Sequence, residues 1–180
     1  MKQEGVRRFL FDTSAESWIA RGQPEAGVPW IGQQIYISSV TILERMRGYQ
    51  LLWQRTTDRA ARKQVEAARL SYLNIPKQVL PMDTVVAVIA AGMLALIPDP
   101  PTPPKRSHRL TESRQERLCR WRFDVMIAGT ALAHGMALVH NNPGDFAPIR
   151  KAIELFPEQF PGLGPLELIR VESSFASIRP

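Results

Sequence analysis

Residues 124–146 read DVMIAGTALAHGMALVHNNPGDF, and they predict a helix, a strand and a turn in succession. The run after Asp124 is apolar, so we expect Asp124 to open a buried helix that Gly135 closes in the left-handed conformation. The bulky run from Met136 to His140 predicts a buried parallel strand, and Asp145 lies in the turn after it. In open α/β proteins such turns build the site at the carboxyl edge of the sheet. We therefore expect Asp124 and Asp145 at one rim.

Two further acids stand in comparable positions earlier in the chain. Asp12 ends the apolar run Phe9-Leu10-Phe11, and Glu44 follows the strand-like run Ile35-Tyr36-Ile37 inside the next predicted helix. Carboxylates that converge at one rim raise one another's proton affinity unless a cation neutralises them. Mg²⁺ suits such a cluster, because it prefers hard oxygen ligands and retains waters beside substrate phosphates. The pattern therefore predicts a metal-dependent hydrolase.

Strand-like and helix-like segments alternate along the chain. Strands are predicted at residues 7–11, 35–38, 78–81, 136–140 and 166–171, and helices at 13–21, 39–53, 56–73, 84–97, 112–134 and, weakly, 146–155. A loop is predicted at residues 22–32. This alternation favours a largely parallel sheet that right-handed crossovers cover with helices on both faces.

A proline-rich and basic insert interrupts this pattern at about residues 98–117. Prolines 98, 100, 101, 103 and 104 cannot continue the preceding helix, and a basic stretch follows them. We expect a surface insert within a single domain that spans residues 1–180.

Composition limits the classes of protein that fit. A chain of 180 residues with 44% hydrophobic content can bury one core, and its net charge of +6 favours a polyanionic partner such as RNA or DNA. The single cysteine permits no intramolecular disulfide and suits a reducing cytoplasm. The longest apolar segment, residues 85–97, is shorter than the roughly 20 residues that cross a bilayer. We expect a cytoplasmic protein without a membrane partner.

The acidic segments resemble three motifs of PIN-domain ribonucleases, and in particular of the VapC toxins of bacterial toxin–antitoxin modules. FLFDTS at residues 9–14 is similar to the first motif, a strand that ends in a metal-binding Asp followed by a small hydroxyl residue. SSVTILERMRG at residues 38–48 is similar to the second, a strand-to-helix turn with a metal-binding Glu. Residues 124–146 give the most specific match. The resemblance extends over most of the chain.

The resemblance implies a PIN-like three-layer α/β/α sandwich with a central, mainly parallel sheet of four or five strands. It also implies an endoribonuclease that uses Mg²⁺ or Mn²⁺ to hydrolyse RNA phosphodiester bonds, with a VapB-like antitoxin as partner and a homodimer as the assembly. The matching catalytic and metal-binding positions are Asp12, Glu44, Asp124 and Asp145, with Ser14 and Asn142 in supporting roles. As hypothesised roles, Asp12 and Asp124 hold the principal metal and Glu44 orients a water or acts as base.

Two departures from the family keep other functions open. His140 stands where relatives commonly have Thr, and the insert at residues 98–117 is longer than the usual connection. A catalytically altered PIN-like module that binds RNA or protein without cutting is therefore one alternative. A PIN nuclease in RNA maturation or DNA repair is another.

Simpler interpretations stand beside these. Each acid considered alone fits a helix cap or a surface charge. His134 and His140 suggest a metal or acid–base pair, although histidines at helix and strand ends are more often structural. Basic residues at 45–63 and 114–122 either line an RNA path or belong to solvated helix faces. The helices around Trp18 and from Leu51 to Leu73 are candidates for contact with the antitoxin or a second subunit.

Overall fold

The computed structural model describes residues 7–21, 34–106 and 111–171 of the 180-residue chain. The strands in these ranges are β1 (Phe9–Phe11), β2 (Ile35–Ser38), β3 (Gln78–Leu80), β4 (Ala137–His140) and β5 (Leu168–Arg170). They form one parallel sheet in the order β3-β2-β1-β4-β5, with β1 at its centre. The predicted parallel sheet is confirmed.

The helices in the same ranges are α1 (Thr13–Arg21), α2 (Ser39–Arg55), α3 (Arg59–Asn74), α4 (Thr84–Leu96), α5 (Arg114–Ala133) and α6 (Pro143–Leu155), and a short 3-10 helix follows at Pro157–Gln159. Asp58 and Asp83 cap α3 and α4 by accepting from backbone N–H groups, while Ser113 and Glu116 form a capping box that begins α5. Gly135, at φ 57°, closes α5 as predicted. None of these helices combines the length and the apolar character that crossing a bilayer requires.

The helices cover both faces of the sheet. On one face, α4, α5 and α6 pack against Leu10 and Leu138, and Trp121 is completely buried there. On the other face, α1 packs against Phe9 and Phe11. Successive side chains of a strand point to opposite faces, so neighbouring residues of β1 belong to two separate cores. The result is the predicted three-layer α/β/α sandwich.

Two segments that carry predicted site residues differ from expectation. Asp124 does not open a helix, as the apolar run after it suggested, but lies in the middle of α5, because the Ser113 capping box begins this helix close to the start of the predicted span 112–134. Helix α6 begins at Pro143 instead of Phe146, because proline fits the first helical position, where no N–H donor is needed. Asp145 therefore lies in the first turn of a helix. The loop predicted at residues 22–32 lies outside the described residues, as do residues 107–110 of the insert.

Candidate active site

Carboxylates from four separate elements approach one another beside the carboxyl edge of the sheet. Burial raises the pKa of Asp124 well above its usual value, and repulsion from Asp145, Glu44 and Asp12 raises this pKa further, while Arg120 lowers it. Such repulsion requires the charges to lie close together. The four acids predicted from the sequence are thus gathered in one region.

Asp12 directly follows β1 and is both a helix cap and a member of the acidic cluster. Its backbone N–H donates to Val139 O at 3.0 Å, which fixes it against β4. Its carboxylate accepts from the Ala15 N–H at 2.6 Å and from the Ser14 hydroxyl at 2.8 Å. Burial raises the pKa of Asp12 to about 6, against the lowering effect of these hydrogen bonds, and Glu44 adds to the increase. The cap thus holds a buried carboxylate that resists ionisation.

Hydroxyl groups at the start of α1 connect the cluster. Thr13 Oγ1 donates to Glu44 Oε2, which holds this acid of α2 beside α1. Ser14 Oγ donates to both oxygens of Asp12 and accepts from the Asn141 N–H at 3.0 Å. Ser14 therefore lies beside Asp12, in keeping with the supporting role predicted for it. The contact of Thr13 was not predicted, although its position after Asp12 was a signal.

Asp124 contains the least satisfied atom of the cluster. The side chain is only 6% exposed, and its Oδ2 is buried without a hydrogen-bond partner. A buried carboxylate oxygen normally has a partner, because leaving it unpaired costs free energy. An oxygen of this kind among other carboxylates fits a bound divalent cation.

The donor set agrees chemically with Mg²⁺ or Mn²⁺, but it is not a closed cage. Within residues 7–21, 34–106 and 111–171, no three His, Cys, Asp or Glu side chains are arranged so as to enclose a metal ion. Mg²⁺ commonly uses only one or two carboxylates and completes its shell with water and substrate phosphate. Asp12 and Asp124, with hard oxygen donors, fit that more open coordination.

Asp145 differs from the other three acids in forming an ion pair with an arginine, among the residues that the structure describes. Its Oδ2 accepts from Arg120 Nη1 at 2.7 Å and from Asn142 Nδ2 at 2.5 Å, and its Oδ1 accepts from Thr102 Oγ1 at 2.5 Å. The side chain is 1% exposed. In this arrangement Asp145 is neutralised by Arg120, and Asn142 contacts Asp145.

The sequence predicted Arg120, among the basic residues at 114–122, to line an RNA path or a solvated helix face, but the structure pairs it with Asp145 one helical turn before Asp124. Its guanidinium also donates to both oxygens of Glu112 at 3.0 and 3.1 Å, and Glu112 in turn accepts from the Lys105 N–H at 2.9 Å. Two acids from different segments therefore share one partly buried cation, which holds the proline-rich insert against the site.

The insert also approaches α6 closely. Thr102 O accepts from Arg117 Nη1 at 3.2 Å, which adds a second connection between the insert and α5. A Cβ atom on Gly144 would lie 2.7 Å from Thr102 Cγ2, which is too close for contact without movement. The absence of a side chain at Gly144 thus lets the insert reach Asp145.

His140 has a structural environment. It is 3% exposed, its Nδ1 accepts from the Asn142 N–H at 3.1 Å, and its ring lies 5.0 Å from that of Phe146. Burial lowers its pKa to about 4, and Arg170 and Arg150 contribute to the decrease. His134, the other member of the suggested histidine pair, lies beyond the last residue of α5, whereas His140 ends β4. His140 is therefore a neutral residue that supports the turn before α6 near pH 7.

A groove of about 980 Å³ runs beside α1, α2 and α3 and reaches the edges of β2 and β3. Its lining includes Glu16, which accepts from Arg45 Nε at 3.1 Å and from the Tyr72 hydroxyl at 3.2 Å. Ser71 and Ile75 line its α3 side. The groove thus combines apolar walls with one internally paired polar cluster.

Comparison with solved structures shows which known proteins have this fold. A chain of the DNA-bound VapBC complex from Salmonella typhimurium is 19% identical, with a TM-score of 0.50, over 92% of this chain and 98% of that one. A chain of VapBC2 from Rickettsia felis, bound to a fragment of its promoter DNA, is 14% identical, with a TM-score of 0.51, over 91% and 98%. No protein-family model and no curated protein matches the sequence. At these identities the likeness shows the fold, so the chain has the PIN-like α/β/α fold that it shares with chains of VapBC toxin–antitoxin complexes.

Proposed function

We propose that this chain is a Mg²⁺- or Mn²⁺-dependent endoribonuclease and the toxin of a toxin–antitoxin pair. The observation that carries the proposal is the buried, unpartnered Oδ2 of Asp124, whose pKa is raised first by burial and further by the neighbouring carboxylates. Without a cation, such a cluster costs folding free energy, because buried charge is poorly solvated. Retaining an unfavourable cluster is expected where the acids bind a metal ion.

Asp12 and Asp124 would hold the ion. When bound, the ion supplies a water of lowered pKa and offsets charge on the phosphate that reacts. The Ala15 N–H and the Ser14 hydroxyl fix the orientation of Asp12 through the contacts described above. Glu44, held by Thr13, is the candidate base that accepts a proton from the attacking water.

Asp145 has a positioning role in this proposal. Its ion pair with Arg120 holds the first turn of α6 against α5, the helix that carries Asp124. Neutralising Asp145 in this way also limits the total negative charge that the substrate phosphate approaches. The observation equally favours the alternative of a PIN-like module that binds without cutting, because one acid of the predicted set is not free for metal.

The groove beside α1, α2 and α3 supports the proposal of a protein partner. The matched structures are VapBC complexes, which motivates an antitoxin partner for this chain. The apolar lining of the groove suits a short segment of such a partner, and α1 and α3 are helices that the sequence indicated for this contact. The homodimer and the RNA substrate belong to the same proposal, the latter in keeping with the net charge of +6.

Metal-dependent cleavage of a structured RNA tests this function. We expect the wild type to cleave with Mn²⁺ or Mg²⁺ and to lose cleavage in EDTA. Asp124→Asn should reduce the rate by about 100-fold or more, because it removes a metal ligand. Asp58→Asn is the matched control, since Asn also caps helices and Asp58 caps α3. Cleavage that survives both EDTA and Asp124→Asn would reject the proposal, while RNA binding without cleavage would favour the non-cutting alternative.

A further inference from the structure

The hairpin of α2 and α3 carries a second cavity that the proposed chemistry does not use. This cavity, here called the basic cleft, has a volume of about 520 Å³ and a lining that includes Trp53, Arg59, Arg62, Lys63, Glu66 and Arg69. Four of these six side chains are cations and one is an acid. The cleft is therefore strongly positive.

The positive charge of the basic cleft is largely uncompensated. Glu66 accepts from Arg69 Nη2, so the one acid in this set is already paired. Arg59 and Lys63, four residues apart on one helix face, form no ion pair with any described residue. Like charges on one face repel, and a polyanion that binds there relieves this repulsion.

An aromatic ring lies among these cations. Trp53 is 37% exposed, and the Arg62 guanidinium lies 4.5 Å from the centre of its ring. Arg62 is held in place, because its Nε donates to Thr56 O at 2.6 Å. An exposed aromatic ring with adjacent cations is the arrangement that proteins use to stack nucleobases while they contact the phosphates. An acidic peptide would satisfy the charges but would not use the ring.

The basic cleft and the acidic cluster are joined through two helices. Trp53 follows Glu44 by nine residues on α2, which is about 13 Å along the helix axis and about 900° of rotation, so the two side chains leave α2 on opposite sides. Arg55 Nη2 lies 3.4 Å from Glu116 Oε1, so the end of α2 contacts the first turn of α5. Helix α5 also carries Asp124, farther along the chain. A nucleic-acid strand that reaches both sites would therefore have to pass around α2.

We propose that the basic cleft binds single-stranded RNA at a site separate from the acidic cluster, and that it supplies substrate affinity separate from cleavage. This inference rests on the proposed function for the identity of its ligand. The phosphates would contact Arg59 and Lys63, and a base would stack on Trp53.

The test is RNA binding measured without metal, so that cleavage does not interfere. Fluorescence anisotropy of a labelled 20-nucleotide polyuridylate, in EDTA, would be recorded from 50 to 300 mM salt. Arg59→Gln/Lys63→Gln should weaken binding at 50 mM salt by about tenfold or more and lower the log–log salt slope by about 1.4, twice the ~0.7 per phosphate contact on single strands. Arg150→Gln/Lys151→Gln, which removes the same charge from exposed positions of α6, is the matched control and should change neither quantity appreciably.

A second variant separates stacking from charge. Trp53→Leu should weaken binding by about tenfold while leaving the salt slope unchanged, because a lost stacking contact releases no counterions. Equal effects of the two double variants would overturn the inference. An unchanged RNA affinity in Trp53→Leu, with equal losses for RNA and polyglutamate in Arg59→Gln/Lys63→Gln, would also overturn it in favour of an acidic protein partner.

The two proposals fail in different ways. Wild-type protein that binds polyuridylate through the cleft but cleaves no RNA with metal would reject the proposed function and support the inference. Protein that cleaves RNA with metal but shows no specific effect of the cleft variants would support the proposed function and reject the inference.

Discussion

Arg120 Nη1 lies 2.7 Å from Asp145 Oδ2, and the two side chains are 14% and 1% exposed. The guanidinium, which is partly buried, also pairs with Glu112, so this one cation contacts both the insert and α6 from its place on α5. Burying an ion pair is costly, but removing one partner costs more, because the other charge remains without compensation. The arrangement therefore makes Arg120 the residue on which the geometry beside Asp124 depends.

Replacing Arg120 should strongly reduce stability. We expect Arg120→Gln to lower the free energy of unfolding by about 3 kcal/mol, because it leaves Asp145 buried and unpaired. Urea unfolding at pH 7 measures the change. Arg122→Gln, at an exposed position two residues later, should change the free energy by less than about 0.5 kcal/mol. Similar values for the two variants would mean that the buried pair contributes nothing.

The acidic cluster should make metal-free protein more stable in acid. The pKa of Asp124 is higher in the folded than in the unfolded protein, so its favourable contribution is full below about pH 4 and is lost as the pH rises. Asp124→Asn cannot ionise and lacks this loss. In EDTA, the variant should therefore become increasingly more stable than wild type from pH 4 to pH 8, as measured by thermal unfolding. A constant difference across this range would contradict the prediction.

Added divalent cation should reverse the order of stability of wild type and Asp124→Asn. A ligand that binds only folded protein stabilises it by about 2.7 kcal/mol at a concentration 100 times its Kd. We expect Mg²⁺ or Mn²⁺ to raise the melting temperature of wild type at pH 8 and to have little effect on Asp124→Asn. Asp58→Asn should respond like wild type, because its acid caps α3 away from the cluster. An equal response of all three proteins would indicate nonspecific ion effects.

His140 should destabilise the protein as the pH falls. Its pKa decreases from 6.5 in unfolded chains to about 4 in the fold, so between these values the unfolded state takes up a proton and the folded state does not. The contribution is full above pH 6.5, and its loss reaches about 3 kcal/mol near pH 4, at 1.36 kcal/mol per pKa unit. His140→Gln should lack this pH dependence in a comparison with wild type.

The predicted change of stability with pH has opposite signs for His140 and Asp124, so the two variants check each other. NMR titration of the His140 ring measures its pKa directly. A midpoint near 6.5 would show that the ring is accessible to solvent in the folded protein.

Gly144 should control the position of the insert. A Cβ at this residue would collide with Thr102, so Gly144→Ala should weaken the hydrogen bond from Thr102 to Asp145 and increase amide exchange in residues 98–106. Gly164→Ala is the control, because a Cβ there meets nothing within 4 Å. Exchange that is equal in both variants would show that the insert is held by other contacts.

The sheet and the position of Asp12 could be placed from the sequence for a local reason. A buried parallel strand is a short bulky run, and the residue after it must lie at the carboxyl edge, so Asp12 followed directly from β1. The start of α6 was misplaced, because Pro148 inside the helix weakens its pattern while Pro143 begins it.

The partners of Asp145 could not be placed in this way. Its contacts with Arg120 and Thr102 span 25 and 43 residues, and they depend on the course of a proline-rich insert that has no periodic pattern. Long-range polar contacts are decided by the tertiary structure, whereas strand ends and helix caps are decided locally. Sequence motifs therefore identified the acids but did not predict the hydrogen-bond and ion-pair partners of each one.

The spacing of Arg120 and Asp124 along α5 has a consequence for how this chain tolerates length changes. Each residue of an α-helix adds about 100° of rotation, so one extra residue between them would turn either the guanidinium or the carboxylate out of the site. Substitutions elsewhere on α5 can be absorbed by repacking. An insertion of one residue at this point cannot, because it would place Arg120 and Asp124 on different sides of the helix. Natural variation in the length of this protein should accordingly be confined to segments on either side of that helical turn.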